Sequence, residues 1–166
     1  MAHEPAGLSL PLLVISPSDV SRLARELEGL NDYLHQAGLR KGGEAVKLPR
    51  TSRMLDELAT ANGLSFLQAG DREKAAAFLS ETAKSSPVVT MSFAAEPSSA
   101  FLAKVVTWLR QNIHPSLLLR VGLQPTIAAG FTLRTTNKYF DFSLRQHFDE
   151  QRPLLIEKLR SAGGSQ

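Results

Sequence analysis

The sequence predicts an α+β protein: amphipathic helices with a small mixed or antiparallel sheet. Three observations carry this. Apolar residues recur at helical spacing between Pro17 and Ala37, residues 88–94 form a β-rich run, and two alternating arms flank the polar pair Thr136-Asn137. Apolar residues make up 43% of the 166-residue chain and charged residues 21%, which is ordinary globular usage and excludes bulk disorder.

The elements follow in order. Leu8 to Ile15 is the longest mainly apolar run and reads as a short strand, confined to an edge or an end by Pro11. Ser16 caps the next helix, Pro17 suits its first position, and Asp19 lies where the helix dipole favours negative charge. This helix carries Val20, Leu23, Leu27, Leu30, Leu34 and Ala37 at alternating spacings of three and four, a narrow seam. The seam either packs on its own domain or offers Val20, Leu23, Leu27, Leu30 and Leu34 to a partner helix. Gly38 is its expected stop. Residues 39–50 read as a linker, punctuated by Gly42-Gly43 and Pro49.

Thr51 or Ser52 caps a short helix ending at Asn62-Gly63, with Met54, Leu55, Leu58 and Ala59 on its apolar face. Asp71 is the expected cap of a helix from Arg72 to Lys84, with Ala75, Phe78, Leu79 and Ala83 inward. Ser85-Ser86-Pro87 then separates an N-terminal region, residues 1–85, mostly helical with one strand, from a C-terminal region, residues 86–166. That second region reads strand, helix, strand, hairpin, helix. Its first helix, from Ser98 or Ser99 to Asn112, is expected to bury Phe101, Leu102, Val105, Trp108 and Leu109. Leu117 to Leu123 is its second strand. Phe131, Leu133 and Thr135 alternate on the first hairpin arm, and Phe140 and Phe142 on the second. Ser143-Leu144-Arg145-Gln146 fits a capping box for a last helix running to Arg160, with Pro153 kinking or restarting it.

Composition excludes several chemistries. The chain has no cysteine, so it has no disulfide scaffold, thiolate nucleophile or cysteine-bound metal. The run Leu8–Ile15 is far short of the ~20 residues a spanning helix needs. It also lacks a preceding Lys or Arg and a small-residue cleavage site, so the reading is a cytoplasmic chain without a signal peptide. Residues 1–85 carry ten Lys+Arg against eleven Asp+Glu, and residues 86–166 carry nine against five. A modestly basic second half fits an acidic protein partner better than nucleic acid, which calls for a concentrated basic face.

No catalytic constellation stands out. His3, His35, His114 and His147 show no metal-ligand spacing. Asp56-Glu57 and Asp149-Glu150 are adjacent in helices, so their carboxylates diverge by about 100°. Gly42-Gly43 belongs to no phosphate-loop pattern. The expectation is no catalytic residue, no cofactor site and no metal site. Arg145 opposes the helix dipole at a helix start, which points to pairing with an acid or to plain solvation.

The stretch Pro125-Thr126-Ile127-Ala128-Ala129-Gly130-Phe131, followed by Asp141-Phe142-Ser143-Leu144-Arg145 after the hairpin, resembles a known family. It is similar to the C-terminal domain of the delta subunit of rotary F-type ATP synthases, the oligomycin-sensitivity-conferring protein family. The resemblance covers residues 86–160. Pro125, Ile127, Gly130, Phe131, Asp141, Ser143 and Arg145 are its motif positions. Ala128-Ala129 stands where the family favours glycines, and the first 85 residues do not read as its six-helix N-terminal bundle.

The resemblance implies a peripheral-stalk, or stator, subunit. Such a chain links the catalytic head to the membrane sector without bond chemistry. Its implied partners are other ATP synthase subunits, especially a b-type stalk subunit and the head subunits, with no nucleic acid and only indirect membrane contact. The implied location is the inner face of a bacterial cell membrane. Competing readings are an E-type stalk subunit of a vacuolar or archaeal ATPase and a small basic nucleic-acid-binding module.

Overall fold

A computed structural model describes residues 7–39, 49–127, 129–144, 151–154, 156–158 and 160. Its elements run in the order α1 (Pro17–Leu39), α2 (Arg53–Asn62), α3 (Ala69–Ser85), β1 (Val88–Phe93), α4 (Ser99–Asn112), β2 (Leu118–Leu123), β3 (Gly130–Arg134) and β4 (Tyr139–Ser143). Residues 151–154, 156–158 and 160 are helical. The fold class is α+β. The expected capping box at 143–146 and the side chain of Arg145 lie outside the described residues, as does most of the 39–50 linker.

The sheet has the order β2-β1-β3-β4. β3 pairs antiparallel with both β1 and β4. β2 runs parallel to β1, because the amides of Leu118 and Gln124 reach the carbonyls of Pro87 and Phe93 with one constant offset. The sheet is therefore mixed. A parallel neighbour requires a crossover, and α4 supplies it.

Two compact units divide the chain. One holds the residues up to Val88 together with Ser99–Arg120; the other holds Val89–Ser98 and the residues from Val121 onward. The division expected after Ser85 differs from this one. The reason lies in α4, whose Arg110 is hydrogen-bonded to the N-terminal segment and to Leu117.

In the first unit the α1 seam is core. Val20, Leu23, Leu27 and Leu30 are buried against Leu55, Leu58, Phe66, Ala75, Leu79, Val14 and Leu118, and Leu34 is partly buried beside them. These five residues are filled by α2 and α3 of the same chain, which corrects their assignment as a partner-binding face. The narrow stripe is satisfied internally because two short helices, rather than one long one, fill it.

Local chemistry explains the ends. Ser16 Oγ accepts from the Asp19 amide, and Asp19 Oδ2 accepts from the Ser16 amide at 2.9 Å. This reciprocal pair starts α1. The helix passes through Gly38 to Leu39 rather than stopping there. Ser52 caps α2 as expected, accepting from the Leu55 amide, and Gly63 ends it at φ 63°. The Glu26 carboxylate from α1 accepts from both the amide and the hydroxyl of Ser52 at 2.6 Å. α3 begins at Ala69, so Asp71 lies in its first turn and is not its cap. Asp71 instead accepts from the Ser65 amide at 2.9 Å. That bond, with nearby Lys74, holds its carboxyl below the ordinary value of 3.8 against a smaller opposing effect of desolvation. Ala83 is exposed and Thr82 takes its inward place.

Two further expectations are corrected. Residues 8–15 form no strand: residues 12–13 turn, and the Val14 amide bonds to the Pro11 carbonyl at 3.1 Å. Pro11 has no amide to give a ladder. On α4, Val106 and Leu109 are buried, while Phe101 and Trp108 face outward, Trp108 at 59% exposure.

Candidate functional site: the hairpin and its approach

The motif positions of the second unit converge on one construction. After β2, the Gln124 amide donates to the Phe93 carbonyl at 2.8 Å. Pro125–Ile127 then makes one turn of 3-10 helix, closed by the Ile127 amide on the Gln124 carbonyl at 3.0 Å. Pro125 suits this turn because its fixed φ is near the helical value. Ile127 is buried and pins it. The Ala129 carbonyl receives the Leu144 amide at 2.9 Å, so the approach is tied to the end of β4.

Gly130 opens β3 at φ 93°, a conformation that favours glycine. A Cβ there would lie 2.3 Å from the Phe142 carbonyl oxygen and 3.0 Å from Ser143 Cα. The β3–β4 register pairs Gly130 with Ser143, so the approach is fixed by the ladder itself.

The hairpin turns at Thr136-Asn137, as the sequence predicts. The Thr135 amide donates to the Lys138 carbonyl at 2.8 Å, and the Lys138 amide donates to Thr135 Oγ1 at 3.1 Å. Pairing across β1, β3 and β4 puts Phe93, Phe131 and Phe142 in one row and Met91, Leu133 and Phe140 in the next. The ring centroids of Phe93 and Phe131 are 5.9 Å apart, and those of Phe131 and Phe142 are 5.1 Å apart. The face is covered at β1, where Met91 and Phe93 are buried, and open at β4, where Phe142 is 55% exposed. Phe140 is exposed beside it, and Tyr139 is exposed on the opposite face. The other face carries Ser92, Thr132 and Asp141 in a row, with Gly122 of β2 directed toward Ser92.

Asp141 Oδ1 accepts from the Ser143 amide at 2.8 Å. Ser143 itself is buried, and its hydroxyl has no hydrogen-bond partner among the described residues. Six of the seven motif residues thus fall within the turn and hairpin of one unit. Their arrangement is a braced sheet corner with an apolar edge strand, and it has the makings of a contact surface.

His35 is exposed on α1, and His114 Nδ1 contacts Ser116 Oγ at 3.0 Å after α4. Asp56 is bonded to Thr51, and Glu57 pairs with Arg53 at 3.3 Å. Among the described residues no group of three or more His, Asp or Glu side chains is placed to hold a metal ion.

Sequence reasoning missed Arg110. Its guanidinium donates to the carbonyls of Leu10, Pro11, Val14 and Leu117, and burial lowers its pKa from the ordinary arginine value. The one available signal was an arginine adjoining Leu109 on the inward side of a mostly apolar helix.

No protein-family model matches this chain, and no curated protein matches it. No described helix is long and apolar enough to cross a membrane.

Proposed function

We propose that this chain is a peripheral-stalk subunit of a rotary ATP synthase, of the delta type, holding the catalytic head static against the rotor. The observation that carries the reading is the turn-and-hairpin corner. Pro125, Ile127, Gly130, Phe131, Asp141 and Ser143 each have a distinct geometric role there, in the order in which the resemblance places them. The strand, helix, strand, hairpin order of residues 88–143 supports it as well. A stator resists torque by stiffness and extended contact, and bond chemistry plays no part in that.

The open end of the phenylalanine rows gives such a subunit an apolar surface. Lys138, exposed two residues before Phe140, adjoins it. A stalk helix with an apolar stripe and acidic flanks is the partner this chemistry fits. The α1 seam is excluded from that role by its burial.

Co-purification tests the reading. The tagged full chain, recovered from gently solubilised membranes, is expected to bring head and b-type stalk subunits with it. Recovery of the intact ATP synthase without the tagged chain contradicts the reading. A nucleic-acid role predicts instead a binding affinity that falls steeply with salt.

A further inference from the structure

The N-terminal residues 7–15 are attached to the first unit in an unusual way. They form no strand, yet they lie beside one. In β2, the Leu118 amide points to the Pro87 carbonyl on the β1 side, and the next amide, of Leu119, points the opposite way. It donates to the Ile15 carbonyl at 2.8 Å. Because β2 is an edge of the sheet, this segment occupies its outer side. Open edges recruit other chains, and proteins commonly cover them.

Most of the remaining polar attachment comes from side chains. Arg110 donates to the carbonyls of Pro11 at 3.0 Å and Leu10 at 3.4 Å, and to that of Val14. The Nε of the same guanidinium donates to the Leu117 carbonyl at 3.1 Å, just before β2 begins. Asn62 holds the far end, accepting from the Ser9 amide at 2.6 Å and donating to the Ser9 carbonyl at 3.0 Å. The apolar anchorage rests on Val14 and Pro11, which are buried, and on Leu10, partly buried against the core, while Leu12 and Leu13 are exposed.

We infer that residues 7–15 are a releasable edge guard, clasped by Arg110, which covers the outer side of β2 and uncovers it when it lifts. The uncovered edge presents the Leu119 N–H, the Arg110 guanidinium and the site of the Val14 side chain. An extended segment with free carbonyls and one apolar side chain fits that set, by strand addition.

Amide hydrogen exchange on the full chain tests this. In the unmodified protein the Leu119 amide is expected to exchange through local opening, faster than the Leu27 and Leu79 amides of the core. Arg110→Met is expected to speed Leu119 exchange by about tenfold or more, the scale set by losing charged hydrogen bonds, and to leave Leu27 and Leu79 unchanged. Arg110→Lys, which keeps the charge but not the fork of donors, is expected to fall between the two. Should Arg110→Met fail to fold, Arg110→Lys and Asn62→Ala carry the test, the latter expected to speed the Ser9 amide selectively. Leu119 exchanging at the core rate in the unmodified protein overturns the inference. So does a uniform acceleration of all these amides in the variants.

Discussion

Gly130 and Phe142 stand so close that a Cβ on Gly130 would lie 2.3 Å from the Phe142 carbonyl oxygen. Both the φ of 93° and the facing strand exclude a side chain there. Gly130→Ala is therefore expected to destabilise the protein by about 2–4 kcal/mol, combining backbone strain with displacement of the strand. Gly63 also has a positive φ, of 63°, but no atom of the described residues outside its own neighbours lies within 4 Å of its Cβ position. Gly63→Ala is expected to cost only about 1 kcal/mol. Urea denaturation of the two variants checks the contrast.

The α1 seam gives a second test. Leu23 is fully buried between its own chain's helices. Leu23→Ala is expected to cost about 2–5 kcal/mol in the isolated chain, by lost burial and a cavity. A loss under about 0.5 kcal/mol would return the seam to the role of an exposed docking face.

Acid sensitivity follows from Asp71. Its folded pKa is lowered, chiefly by the Ser65 amide, so its ionised form favours the folded state. That contribution is complete above the unfolded value and disappears as pH falls through the folded one. Asp71→Asn is expected to be less stable than the unmodified chain at neutral pH. The gap should close as pH falls through and below that lowered value, as read from denaturation midpoints across the range.

The α2 cap provides a coupled pair. Ser52→Ala is expected to cost about 1 kcal/mol, and Glu26→Ala a comparable amount, because Glu26 binds the Ser52 amide and hydroxyl. Their effects should not add. A double-mutant cycle is expected to show a coupling of about 0.5–3 kcal/mol.

Trp108 is the only tryptophan of the chain and is 59% exposed. Its fluorescence is expected to be readily quenched by acrylamide in the isolated protein. Trp108→Ala should change stability by no more than about 0.5 kcal/mol. Strong protection would place it back on the buried face of α4.

The sequence made several of these features legible for identifiable reasons. Proline and serine at positions 16–17 announced α1, Ser52 and Gly63 bracketed α2, and the polar pair 136–137 between alternating arms announced the hairpin. Each is a local signal, set by neighbours along the chain. What failed was long-range. Residues 8–15 are mainly apolar, but Pro11 and the Arg110 guanidinium, 99 residues away, make them a turn-bearing strap. Phe101 and Trp108 are large and apolar, yet α4 is turned by the need to bury Val106 and Leu109 and to aim Arg110 at that strap. Asp71 looked like a cap because aspartate often is one; its partner is the Ser65 amide across a turn. In the candidate site, Gly130 was legible as a position a side chain would not occupy. The reason, a carbonyl on β4, depends on a register that only the folded hairpin fixes.

The stator claim is tested most directly by coupling in membrane vesicles. Inverted vesicles from cells lacking this chain are expected to lose proton-driven ATP synthesis, while the catalytic head continues to hydrolyse ATP. Adding back the purified chain should restore synthesis. Undiminished synthesis in vesicles shown to lack the chain would contradict the account.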